Sequence, residues 1–104
     1  MQTLWQILYN AGAELIINGH EHNYERFAEM NASGAAVSQG LREIVVGTGG
    51  NSHYPFGTPL STSQVRNSST YGVLKLTLRS GGYDWQFIPV AGSTFTDSGS
   101  GTCH

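Results

Sequence analysis

Two histidines one residue apart, His20 and His22, lie inside the polar run Gly19-His20-Glu21-His22-Asn23-Tyr24-Glu25-Arg26. In an extended segment alternate residues project to one side, so both imidazoles would reach a common region while Glu21 faces away. Neutral imidazole is the commonest metal-donor side chain and binds Zn²⁺ or Fe at ~2.0–2.1 Å. Gly19 has no Cβ, which lets the backbone turn tightly and approach an ion. Glu21, Asn23, Tyr24 and Arg26 are close enough in sequence to orient the ring nitrogens. Glu25 and Arg26 also suit a structural ion pair that locks the loop. Taken alone, a His-x-His pair equally describes surface or core histidines satisfied by ordinary hydrogen bonds. His53 faces either a substrate pocket or solvent. Gly47-Thr48-Gly49-Gly50 reads as a tight strand exit or as a phosphate-wrapping nest, without the lysine of a P-loop.

The elements that must hold these residues are read from periodicity. Residues 3–12 place Leu4, Leu8 and Ala11 at helical spacing with Gly12 as the stop, which predicts a short amphipathic helix. Leu15, Ile16 and Ile17 form a continuous apolar run, the pattern of a strand covered on both faces. The histidine run follows at once, where the carboxyl end of a strand opens into a loop. Ile44, Val45 and Val46 predict another strand, leading into a loop from Thr48 to Ser69. Leu74, Leu76 and Leu78 alternate with Lys75, Thr77 and Arg79, and Tyr83, Trp85 and Phe87 share a face beyond the Ser80-Gly81-Gly82 turn. An antiparallel hairpin is expected there. The remaining stretch, AGSTFTDSGSGTCH, is small and polar with Phe95 as its one large apolar anchor.

Composition narrows the class. Of 104 residues, 38% are hydrophobic, 12% charged and fourteen are glycine, which suits strands and loops better than a helical bundle or a disordered tail. The charge of -2 is scattered with no basic run, so nucleic acid is disfavoured as a partner. No apolar run approaches the ~20 residues of a membrane span, so no membrane partner is expected. Cys103 is the single cysteine, which excludes an internal disulfide. The sequons Asn31-Ala32-Ser33 and Asn67-Ser68-Ser69 fit surface loops.

GHEHNYER resembles the final Gly-His-x-His block of calcineurin-like metallophosphoesterases, in the Tyr-Glu-Arg form typical of the purple acid phosphatase-like group. LWQILYNAGAELIINGHEHNYERF, LREIVVGTGGN, STYGVLKLTL and AGSTFTDSGSGTCH resemble the corresponding C-terminal stretches of bacterial members. The resemblance implies an α/β fold, a partial α/β/β/α sandwich with one N-terminal helix followed by mostly β-strands including the hairpin. Residues 1–104 would then be the C-terminal portion of one catalytic domain, incomplete by itself. It implies two divalent or trivalent metal ions (Fe, Zn or Mn) with His20 on one and His22 on the other. The implied reaction is hydrolysis of phosphate esters by a metal-activated hydroxide. Secretion or a periplasmic location is also implied.

The other ligands of that family sit in blocks that this sequence lacks: the Asp-containing first motif, Gly-Asp-x-x-Tyr, Gly-Asn-His and a further histidine. The only aspartates, Asp84 and Asp97, stand in neither context. The expectation is therefore an enzyme part with no catalytic residue of its own, weak or no metal binding and negligible activity in isolation. The alternative is a stand-alone, non-catalytic binding or structural domain. The apolar strand Leu15 to Ile17 would lack neighbours, and self-association through its edge is expected.

Overall fold

The computed structural model describes residues 2–50, 52, 58 and 60–103. Helix α1 (Gln2–Asn10) precedes seven strands: β1 (Leu15–Asn18), β2 (Tyr24–Phe27), β3 (Arg42–Val46), β4 (Ser63–Asn67), β5 (Gly72–Arg79), β6 (Gly82–Pro89) and β7 (Ser98–Thr102). They form a four-stranded sheet in the order β1-β3-β2-β4 and a three-stranded sheet in the order β5-β6-β7. Among the described residues, β1 and β3 run parallel and the other pairings are antiparallel.

The two sheets pack face to face. Pairing of Leu15 with Arg42, Ile44 with Arg26 and Val65 with Arg26 puts Leu15, Ile44, Val46, Tyr24 and Val65 on one face of the larger sheet. That face meets Tyr83, Trp85, Phe87, Leu74 and Leu76 of the smaller sheet, with Phe95 completing the core. Tyr24, Phe87 and Phe95 form an aromatic triangle with ring centres 4.9–5.8 Å apart. In the hairpin, Leu74 lies opposite Phe87, Leu76 opposite Trp85 and Leu78 opposite Tyr83, so the two alternations seen in sequence meet as cross-strand pairs.

This arrangement corrects the expected partial α/β/β/α sandwich. Among the described residues α1 is the one helix, and the molecule is a mostly-β structure of two layers, not four. The helix is too short and too loosely seated to be a covering layer. Leu4 is 49% and Ile7 59% exposed. It ends as expected, in a Schellman motif: Gly12 at φ 79°, with Gly12 N–H donating to Tyr9 O and Ala13 N–H to Leu8 O.

Other elements depart from expectation as well. β1 is an edge strand, with Ile17 and Asn18 exposed, so it is not covered on both faces. The end of the run read as a polar loop, from Tyr24 on, is β2, and β4 lies inside the stretch read as one long loop. The small polar tail contains β7. That strand is possible because Gly99 lies opposite Trp85 and Gly101 opposite Tyr83, where bare backbone lets each ring lie flat across it.

Candidate functional site

β1 and β3 are parallel neighbours, so their carboxyl ends open on the same side of the sheet. The histidine loop, residues 19–23, leaves one end and the glycine-rich turn leaves the other. The two are clamped together. Gly47 N–H donates to Asn23 O at 2.9 Å, and a Cβ on Gly47 would run into the Glu21 carbonyl. Thr48, fully buried, fixes the turn to the second sheet: its hydroxyl donates to Gly72 O at 2.9 Å and its carbonyl accepts from Gly72 N–H at 3.0 Å. The glycine run therefore serves as a strand exit whose first N–H is already used.

The histidine loop is not extended. Glu21 N–H donates to Gly19 O at 2.9 Å and Asn23 N–H to Glu21 O at 2.8 Å, so each histidine is the central residue of a three-residue γ-turn. His20 has φ 74°, the rare and strained form of that turn; His22 is not among the residues with positive φ and takes the common inverse form. The expectation that alternation in an extended segment sets the two rings side by side does not apply, because the segment is two successive tight turns. A non-glycine residue held at positive φ costs on the order of 1–3 kcal/mol, and such strain concentrates at ligand-binding positions.

His22 Nδ1 lies 2.6 Å from the carbonyl oxygen of Ser52. A carbonyl only accepts, so Nδ1 carries the proton and the ring's lone pair is on Nε2. A backbone carbonyl on one ring nitrogen is the usual way a metal-binding histidine has its tautomer fixed. The fixed tautomer of His22 thus fits the chemistry of a metal donor. The two imidazoles do not complete a site by themselves: among the described residues no three His, Cys, Asp or Glu side chains come together. Tight sites use three or four protein donors.

The surrounding residues divide into two groups. Glu21 is exposed and touches the turn through its carbonyl, and Asn23 is buried and holds Gly47 through its own. Tyr24 and Arg26 point into the core instead, where both bind Asp97. Tyr24 Oη donates to Asp97 Oδ2 at 2.7 Å, Arg26 Nε donates to Oδ2 at 2.8 Å and Nη2 to Oδ1 at 3.2 Å, and Trp85 Nε1 donates at 3.3 Å. Burial pushes the Asp97 carboxyl up, but the Arg26 and Tyr24 hydrogen bonds, the Arg26 charge and the Trp85 N–H outweigh it and hold it below the usual range. Burial, reinforced by the adjacent Asp97 carboxylate, pushes the Tyr24 phenol far up. Glu25 pairs with Arg66 at 3.3 Å, so Glu25 and Arg26 do not form the ion pair considered from sequence. Asp97 is the residue sequence reasoning passed over; its partners Tyr24 and Arg26 lie more than seventy positions away, and nothing local marks it. His53 lies outside the described residues.

The strain at His20 has a measurable consequence. Glycine adopts positive φ without steric cost, whereas its extra freedom in the unfolded chain costs ~0.4–1 kcal/mol. His20→Gly should therefore raise the unfolding free energy by about 1 kcal/mol, read as a higher urea midpoint at constant slope. An unchanged or lower midpoint would mean that the imidazole itself holds the turn.

Compared with known proteins, the chain matches no family model, no curated protein and no solved structure.

Proposed function

We propose that the His20–His22 loop is the two-imidazole part of a metal-dependent phosphoesterase site whose remaining donors lie outside the described residues. The observation that carries the metal reading is the double γ-turn, in which a strained His20 and a tautomer-fixed His22 are clamped by Gly47 at the shared carboxyl ends of β1 and β3. Strain of that kind persists where the surrounding structure over-determines it, and here the clamp comes from a second loop tied to both sheets. The phosphoester class rests on the sequence resemblance around GHEHNYER. His20 and His22 would hold the ions. When bound, such ions supply charge stabilisation at phosphoryl oxygens and activation of water. The role of this chain's own residues is to present two imidazoles in a fixed orientation, with Asn23 and Gly47 joining the loops and Ser52 setting the His22 tautomer.

A titration of the chain with Zn²⁺, followed through the imidazole ¹⁵N resonances, tests the metal reading. Both rings should respond together and weakly, His22 through Nε2, and His20→Ala should abolish the response of His22. Metal-independent spectra for both rings would remove the proposal. In parallel, p-nitrophenyl phosphate should be hydrolysed negligibly by the chain alone; robust turnover lost in His20→Ala would show instead that the chain carries a whole site.

A further inference from the structure

One side of the sandwich is open. β1 is the edge of the larger sheet and β5 the edge of the smaller, and between them runs a groove of about 520 Å³ lined by Leu15, Ile17, Leu76, Leu78 and Tyr83. Ile17 is 45% and Leu78 75% exposed there, an unusual exposure for residues facing a core.

The backbone of β5 shows which groups await a partner. Gly72 N–H and C=O both bond Thr48, on the side away from β6. Polar groups alternate along a strand, so Leu74, Leu76 and Leu78 also point theirs outward, while Tyr71 O accepts from Val90 N–H on the other side. The outward groups of these three leucines have no strand partner among the described residues.

We propose that this edge is the seam of a two-fold dimer, in which β5 pairs antiparallel with β5 of a second copy of the chain about an axis through Leu76. In that register Leu76 faces its own counterpart and Leu74 faces Leu78 of the other copy. The three outward-pointing residues thus form the hydrogen-bonded pairs, each exchanging both N–H···O=C bonds. On the outer face Lys75 lies opposite Thr77 and Val73 opposite Arg79, so no like charges meet. The neighbouring registers are worse. Sliding one way sets Lys75 against Lys75, and sliding the other sets Lys75 against Arg79 twice. A slip by one residue turns the leucines to the solvent face. The pairing is isologous, and it brings the two open grooves together so that Ile17 and Leu78 leave water. It is independent of the metal reading above.

Sedimentation velocity over a broad concentration series should show a monomer–dimer equilibrium. The register is tested in a Cys103→Ser background by mixing the Lys75→Cys and Thr77→Cys variants, both at exposed outer-face positions. Under mild oxidation the mixture should cross-link faster than either variant alone. Val73→Glu, which sets a carboxylate opposite Arg79 at both ends of the seam, should tighten the dimer about threefold, and Val73→Lys should weaken it comparably. A chain that remains monomeric at every concentration overturns the proposal. So does a dimer in which the single variants cross-link as fast as the mixture.

Discussion

Asp97→Ala should lower the unfolding free energy by about 3–5 kcal/mol, the range seen when one partner of a buried ion pair is removed. The carboxylate is 9% exposed and takes hydrogen bonds from Tyr24, Arg26 and Trp85, so its loss leaves a guanidinium, a phenol and an indole N–H without their acceptor. Those groups belong to both sheets, and the damage falls on the contact between layers. Domains of this size have about 5–15 kcal/mol in total, which makes the variant marginal. Asp97→Asn keeps the volume and one acceptor oxygen and should lose less. Urea denaturation of the three proteins at neutral pH provides the comparison.

The same residue sets the direction of a pH effect. The folded-state pKa of Asp97 is depressed, so its contribution is fully present above the unfolded carboxylate range near 4 and is lost as pH falls through the lower folded value. Stability of the wild-type chain should therefore drop on acidification below about pH 4, and Asp97→Asn should show a shallower drop. Asp84 is also depressed through hydrogen bonds from Arg79 and Ser100, but it is solvent-exposed and contributes little to that limb.

Gly47→Ala should be the second most damaging change and the most specific to the histidine loop. Its Cβ would overlap the Glu21 carbonyl, a backbone atom that cannot rotate away, so one of the two loops must move. Overpacking against fixed neighbours costs about 1–3 kcal/mol, and here it also breaks the Gly47 N–H···O=C Asn23 bond. The displaced loop should release the His22 Nδ1–Ser52 contact, leaving both ring tautomers populated in the imidazole ¹⁵N spectrum. Gly49→Ala, where the added carbon meets open space, is the matched control and should change neither property. Equal behaviour of the two variants would show that the loops are not clamped.

What the sequence makes legible follows from how far its signals reach. The β5–β6 hairpin is plain because its alternation, its turn and its partner all lie within eighteen residues. The helix stop at Gly12 is equally local. β2 is obscured because Glu25 and Arg26 read as loop residues until their distant partners, Arg66 and Asp97, are known. β4 carries one apolar residue, Val65, and is held by pairing with β2. β7 is built of serine, glycine and threonine, and its two glycines are poor strand formers that the rings of Trp85 and Tyr83 compensate. At the candidate site, the His-x-His pair is plain in the sequence, but the γ-turn at His20 leaves no mark there, since histidine has no obligation to positive φ. The layer count fails for a different reason: a resemblance carries an architecture with it, and the described residues build only two sheets and a loosely held helix.

The Asp97 junction also fixes an order of events during synthesis. Tyr24 is made seventy-three residues before the carboxylate that it binds. Until residues 95–102 have emerged, the nascent chain has neither Phe95 to close the aromatic triangle nor the carboxylate that pairs with the Arg26 guanidinium. The hairpin can form early, but docking of the two sheets must wait for a closure between residues 73 positions apart. Folding should accordingly be slow, and ribosome-bound intermediates should remain protease-sensitive until that segment arrives.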